Sequence, residues 1–95
     1  MTPALWEHAP MSASVRHATE AVYLTTRLAH RLGDPFGDND AIDLYRRVRR
    51  MSEAEAARAV GHLRARLLQT KPRHPSIQTT GAAWLFAVVE RSRAA

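Results

Sequence analysis

The sequence contains no cysteine, so disulfide bonds and metal sites built on thiolates are excluded. This composition is compatible with a reducing compartment, and we predict a cytoplasmic protein. The first ten residues, MTPALWEHAP, lack the basic and apolar segments of a signal peptide. The longest apolar run, residues 81–89, has nine residues, whereas a transmembrane helix needs about 20. The sequence therefore predicts a protein without a membrane span.

Motifs of catalysis and nucleotide binding are also missing. No G-x-S-x-G, Walker or Rossmann spacing occurs, and the four glycines are isolated from one another. General acid–base catalysis needs titratable groups that converge on a cleft. His17, Glu20 and Arg27 share one polar side of a predicted helix, opposite its apolar stripe, which argues against a pocket. The sequence predicts no catalytic residue and no cofactor, and hence a protein that is not an enzyme.

Two segments have partial features of a metal site, and both fail the spacing rules. Among the five histidines, only His17 has a second candidate ligand, Glu20, at helical spacing within a predicted helix, and no second pair of this kind exists. Residues 34–40, DPFGDND, contain three Asp. An EF-hand that starts at Asp34 would place Tyr45 where the loop needs a bidentate Glu. We therefore predict no metal site, and solvent-facing histidines.

What the sequence has in excess is arginine. It contains 14 Lys+Arg against 9 Asp+Glu, a formal net charge of +5, and only Lys71 is a lysine. A basic balance favours encounter with polyanions or with acidic protein surfaces. Codon usage in a genome rich in G and C produces the same preference for Arg, so charge alone does not identify the partner.

Length and periodicity predict one all-α domain. A chain of 95 residues, 45% of them hydrophobic, can bury one small core. Apolar residues recur at helical spacing in four segments, and nothing is typical of a strand hairpin. We predict a small four-helix bundle over residues 13–95, preceded by an irregular N-terminal arm over residues 1–12. The predicted helices cover residues 13–32, 40–50 and 53–69, and a last segment that begins within 76–80 and ends near 92.

The ends of these helices have recognisable signals. Serine, Asn and Asp side chains accept hydrogen bonds from the free N–H groups of a first turn, and glycine adopts the left-handed conformation that ends many helices. The segment Ser-Glu-Ala-Glu at residues 52–55 is a capping box. The expected capping residues are Ser12 or Ser14 for the first helix, Gly33 at its C-terminus, Asn39 or Asp38 for the second helix, and Ser52 for the third.

The second and third helices have basic residues on their polar sides. Phasing at 100° per residue turns Leu44, Tyr45 and Val48 inward and leaves most of the arginines outside. If the two helices form a hairpin, their basic sides merge into one patch that Lys71, Arg73 and His74 extend. The residues predicted to contact a partner or phosphates are Arg46, Arg47, Arg50, Arg58, His62 and Arg66.

The last helix is apolar on all sides over residues 81–89. A helix of this kind lies at the centre of a bundle or against a partner. A domain this small can hardly enclose it, so self-association is the second interpretation. Its predicted anchors are Trp84, Leu85, Phe86 and Val89, because aromatic residues contribute much of the energy of an interface.

Together these features predict a small, non-enzymatic protein–protein interaction or regulatory module that associates with itself through its last helix. The alternative is a nucleic-acid-binding protein that contacts phosphates through the Arg-rich face of the second and third helices. A helix-turn-helix that reads a DNA sequence is disfavoured, because the third helix begins with Glu-Ala-Glu and has no Asn or Gln in its first two turns. The expected partner is an acidic protein surface or a nucleic-acid backbone.

Overall fold

The computed structural model describes residues 13–70 and 82–94. These ranges form four α-helices and no strand: α1 (Ala13–Leu32), α2 (Asp38–Arg50), α3 (Glu53–Gln69) and α4 (Ala82–Ala94). The predicted all-α fold is confirmed. No helix in these ranges is long and apolar enough to cross a bilayer. The predicted N-terminal arm, the cap at Ser12 and the predicted beginning of the last helix lie outside the described residues, whereas Ser14 lies within α1 and is not its cap.

The central helix is α1. Both α2 and α3 pack against it, and α4 packs mainly against α2. Ala18, Ala21 and Val22 of α1 are fully buried, and their small side chains allow the neighbouring helices to approach closely. Because α1 has neighbours on several sides, it also buries Thr19 and Thr26, whose hydroxyls donate hydrogen bonds to the carbonyl oxygens four residues earlier.

Polar residues of α1 connect it to α3. Glu20 forms an ion pair with Arg64, and the Arg31 guanidinium donates to the carbonyl oxygens of Leu67 and Thr70 at the end of α3. These carbonyls have no partner within their own helix. Glu20 and Arg31 both contact a second helix because α1 has neighbours on several sides.

The end of α1 confirms the role predicted for Gly33. Its φ is 73°, a left-handed conformation that glycine adopts without steric strain. The Gly33 N–H donates to the His30 carbonyl at 3.3 Å, and the Asp34 N–H donates to the Ala29 carbonyl at 3.0 Å. This is the Schellman pattern, which satisfies the last carbonyls of the helix and directs the chain toward α2.

The start of α2 differs from the prediction. The N-cap is Gly37, in extended conformation, and neither Asn39 nor Asp38 caps the helix. The carboxylate of Asp40 accepts a hydrogen bond from the Gly37 N–H at 3.0 Å, so an acceptor inside the first turn helps to hold the helix start. Asp38 instead accepts from the Trp84 indole N–H at 2.9 Å and from Arg91 at 2.8 Å, which ties the first turn of α2 to α4.

The N-cap predicted at Ser52 for α3 is confirmed, but the capping box is incomplete, because the Glu55 carboxylate accepts from the Ser52 hydroxyl and not from the Ser52 backbone N–H. The Ser52 hydroxyl oxygen accepts from the Glu55 N–H at 3.2 Å, and the same hydroxyl donates to the Glu55 carboxylate at 2.9 Å. From this start, one face of α3 turns toward α1: Ala56, Val60 and Leu67 are buried and Leu63 is half-buried.

α4 has two different faces, although its sequence is apolar on all sides. Leu85, Val88, Val89 and Ser92 are buried. The opposite face is exposed to solvent at Ala83, Phe86 and Ala87. The interpretation of this helix as the centre of the bundle is therefore wrong, and α1 has that position. The run looked uniform because alanine, glycine and phenylalanine are all counted as apolar. An apolar residue type does not by itself require burial, so such residues also occur on an exposed face.

Candidate protein-binding groove

A groove of about 600 Å³ lies between α2 and α3. The two helices follow one another with a short connection at Met51 and Ser52, and both pack on α1, yet they hardly contact each other. They therefore diverge from their connection. Ala21 and Thr25 of α1 form the base of the groove between them.

Most of the groove surface is apolar. α2 contributes Leu44 and Val48 at a spacing of four residues, and α3 contributes Ala59 and Leu63 at the same spacing. These spacings place each pair along one face of its helix. Phe36, before α2, and Met51, after it, complete the lining. The groove along α2 thus extends from near its first turn to its end.

Charged side chains lie on both helices that border the groove. Asp40, Asp43 and Arg47 line it from α2, and His62 and Arg66 line it from α3. The ion pairs among the described residues are Arg64–Glu20 and Arg91–Asp38, so none of the charged groups in the groove forms an ion pair. Asp43 and Arg47 on one side, and Arg66 on the other, are available to a partner.

The predicted basic patch divides into two groups. Arg47, His62 and Arg66 line the groove. Arg46 is half-buried, Arg50 and Arg58 are exposed, and none of these three lines the groove. The α2–α3 pair is not a closely packed hairpin with one merged basic face, because a groove with two carboxylates separates the helices. Lys71, Arg73 and His74 lie outside the described residues.

The arginines also differ in their internal contacts. Arg49 lies over the Tyr45 ring, with its guanidinium carbon 5.9 Å from the ring centre, and Arg27 lies over Tyr23 at 5.6 Å. Among the described residues, the arginines whose side chains hydrogen-bond or pair with another residue are Arg27, Arg31, Arg49, Arg64 and Arg91. The five arginines of the predicted patch are not among them and form no ion pair within the described residues.

The predicted anchors of self-association occupy different environments. Leu85 is 1% exposed and Val89 is 7% exposed, so both are core residues of this chain. Trp84 is half-buried and its indole N–H is bonded to Asp38. Phe86 is 38% exposed. An interface on α4 would therefore depend mainly on one aromatic ring.

The prediction that His17 faces solvent is wrong. It is half-buried, and its Nδ1 atom is buried without a hydrogen-bond partner. Glu20, its candidate co-ligand, is bonded to Arg64. Within the described residues, no three His, Cys, Asp or Glu side chains are grouped closely enough to hold a metal ion.

The electrostatic feature that stands out is Asp38. Its hydrogen bond from Arg91, together with the hydrogen bond from Trp84 and the charge of Arg91, holds the pKa of this carboxyl below its ordinary value. The carboxylate is half-exposed and its partners belong to α4, so its role is to connect two helices.

Sequence patterns had not indicated the groove. Its lining residues recur at three- and four-residue steps on both helices: Asp40, Asp43, Leu44, Arg47 and Val48 on α2, followed by Met51 just after it, and Ala59, His62, Leu63 and Arg66 on α3. This mixture of apolar and charged residues resembles the border of an ordinary amphipathic face. The separation of α2 from α3 turns that border into a concave surface.

Compared with known proteins, the chain matches no protein-family model, no curated protein and no solved structure.

Proposed function

We propose that this protein is a small helical module, without enzymatic activity, that binds another protein in the groove between α2 and α3. The observation that supports the proposal is the groove itself, an open, largely apolar surface of about 600 Å³ between two helices that hardly touch. An apolar groove between helices is a recurrent binding mode for a segment of a partner protein. Charged groups at its border would fix the orientation of that segment.

The charge distribution favours a protein over a nucleic-acid backbone. Asp40 and Asp43 line the same groove as Arg47, His62 and Arg66. Two carboxylates beside the cations repel phosphates, and the apolar residues between them offer nothing to a phosphate. A nucleic acid remains the alternative partner because Arg46, Arg50 and Arg58 lie outside the groove without ion pairs among the described residues.

A groove-filling variant tests the proposal. Ala59 is half-buried and lines the groove, so Ala59→Phe would occupy the space that a partner needs. Ala57 is exposed on the same helix and does not line the groove, so Ala57→Phe adds the same side chain outside it. Proteins captured from a nuclease-treated extract of the native cells would be identified, purified and titrated against the wild type and both variants.

The proposal expects a purified partner whose affinity falls at least about tenfold with Ala59→Phe and is unchanged with Ala57→Phe. Circular dichroism would establish that both variants keep the helical content of the wild type. Equal binding by both variants would contradict the groove as the binding site. Capture that disappears after nuclease treatment would favour the nucleic-acid alternative. Self-association through α4 and a cytoplasmic location stay predictions from the sequence.

A further inference from the structure

The two sides of the groove differ in charge. The side formed by α3 presents His62 and Arg66 and no carboxylate, whereas the side formed by α2 presents Asp40 and Asp43 together with Arg47. Asp43 and Arg66 line one groove without forming an ion pair. The α3 side of the groove is therefore basic and the α2 side carries both signs of charge. The two flanks of a partner bound in the groove would face different charges.

The walls of the groove also limit the shape of a partner. Along α2 and the residue that follows it, the lining runs from Asp40 to Met51, which corresponds to about 16 Å at the rise of an α-helix. The described residues contain no strand whose edge could pair with an extended segment. A helix of about three turns, with apolar residues at steps of three and four, fits a groove of that length between two helices.

We propose that the partner segment is an amphipathic α-helix whose apolar ridge enters the groove and whose acidic flank faces His62 and Arg66 of α3. This inference rests on the proposed function and adds the chemistry of the partner. Arg66 is exposed and has no ion-pair partner in the described part of the chain, so it can form a new pair without breaking one. Opposite charges across an interface orient the partner and exclude partners with the wrong charge.

Two synthetic peptides of 18 residues, designed for this test, would measure the preference. Both carry leucines at steps of three and four, with Gln on one flank. Peptide E carries Glu on the other flank, and peptide K carries Lys at the same positions. Each would be labelled with a fluorophore and titrated with the full chain, with fluorescence anisotropy as the measurement.

Charge reversal on α3 provides the decisive comparison. Arg66→Glu removes the proposed contact and reverses its sign, whereas Arg58→Glu makes the same change at an exposed residue of the same helix that does not line the groove. We expect the wild type to prefer peptide E, and Arg66→Glu to weaken peptide E by about tenfold and to strengthen peptide K. Arg58→Glu should change neither affinity by more than about twofold, and higher salt should reduce the preference.

Each other outcome has a distinct meaning. If Arg66→Glu lowers the stability of α3, Arg66→Gln removes the cation without adding an acid and should still weaken peptide E.

Equal affinity for both peptides, lost with Ala59→Phe but unaffected by Arg66→Glu, would overturn the acidic flank and leave the proposed function intact. No binding of either peptide would overturn helix docking and count against the proposed function. Equal losses with Arg58→Glu and Arg66→Glu, in a parallel titration with single-stranded RNA, would replace the proposal with a nucleic-acid contact.

Discussion

Two adjacent threonines of α1 have opposite environments. The Thr26 hydroxyl is buried and donates to the Val22 carbonyl at 2.8 Å. The Thr25 hydroxyl oxygen is buried without a hydrogen-bond partner. A buried polar atom without a partner loses its hydration and receives nothing in return, whereas a satisfied one stabilises the fold modestly. The same chemical change at these two positions should therefore have opposite effects.

Thr25→Val should stabilise the protein by about 1 kcal/mol, and Thr26→Val should destabilise it by about 1 kcal/mol. Valine has nearly the shape of threonine, so packing changes little at either position. Urea denaturation followed by circular dichroism would measure both free energies of unfolding. Destabilisation by Thr25→Val would mean that its hydroxyl has a partner in solution. Thr25 also lies at the base of the groove. Because valine keeps the shape of threonine, partner binding by Thr25→Val would show whether binding depends on the shape of the groove base or on the hydroxyl group.

The carboxyl of Asp38 makes the junction of α2 and α4 sensitive to acid. Its pKa is lowered by the hydrogen bond from Arg91, by the hydrogen bond from Trp84 and by the charge of Arg91. A pKa lower in the folded than in the unfolded state contributes stability above the unfolded pKa. That contribution is lost as the pH falls through the folded pKa.

Asp38→Asn should therefore lower the urea midpoint of unfolding at neutral pH, and the difference from the wild type should shrink as the pH falls below about 4, the usual range of an Asp carboxyl. Denaturation curves across this range would measure the effect. Asp34→Asn serves as a control, because Asp34 is exposed and forms no ion pair among the described residues. A difference that persists unchanged at the lowest pH would contradict the assigned role.

At the scale of the element, α4 shows how one apolar sequence acquires two faces. Leu85 and Phe86 are adjacent, yet Leu85 is 1% exposed and Phe86 is 38% exposed. The helical turn of 100° per residue places them on different sides once one side is packed. The loss of unfolding free energy when each side chain is truncated to alanine should depend on its burial and not on its hydrophobicity.

Leu85→Ala should destabilise the protein by about 2–5 kcal/mol, because it removes buried contacts and leaves a cavity. Phe86→Ala should cost less than Leu85→Ala, although phenylalanine is the larger residue, because Phe86 is the more exposed of the two. Chemical denaturation would give both free energies of unfolding. A large cost at Phe86 would show that solvent does not reach this face in solution, as expected if a second copy covers it.

For the whole molecule, the question is whether the α4 surface suffices for association. A stable interface buries roughly 1,200–2,000 Å² in total. Of the four predicted anchors, Leu85 and Val89 are core residues and Trp84 is half-buried and bonded to Asp38. On the described part of α4, the exposed face has Phe86 as its large apolar side chain, beside the alanines Ala83 and Ala87.

We therefore expect a monomer at micromolar concentration, with the molar mass measured by light scattering or sedimentation. A dimer that Phe86→Ser dissociates would support the self-association predicted from the sequence. A dimer that Ala59→Phe dissociates and Phe86→Ser leaves intact would indicate that a second copy occupies the groove.

Local patterns were enough to predict the four helices, the left-handed Gly33, the Ser52 cap and the inward face of α2. Each depends on residues within one or two turns of one another, where hydrogen bonding and helical periodicity act. The position of α1 at the centre, the burial of Leu85 and Val89 and the junction at Asp38 depend on residues far apart in the chain. Trp84 and Asp38, for example, are 46 positions apart.

The groove also depends on residues that are far apart in the chain. Arg47, His62 and Arg66 could be recognised in the sequence as basic residues on the polar sides of their helices, because charge and phase are local properties. Whether they would form one basic face or border an apolar groove with Asp43 depended on how far α2 and α3 diverge over α1. That divergence follows from the packing of both helices against a third, and packing depends on the shapes of side chains that local periodicity does not specify.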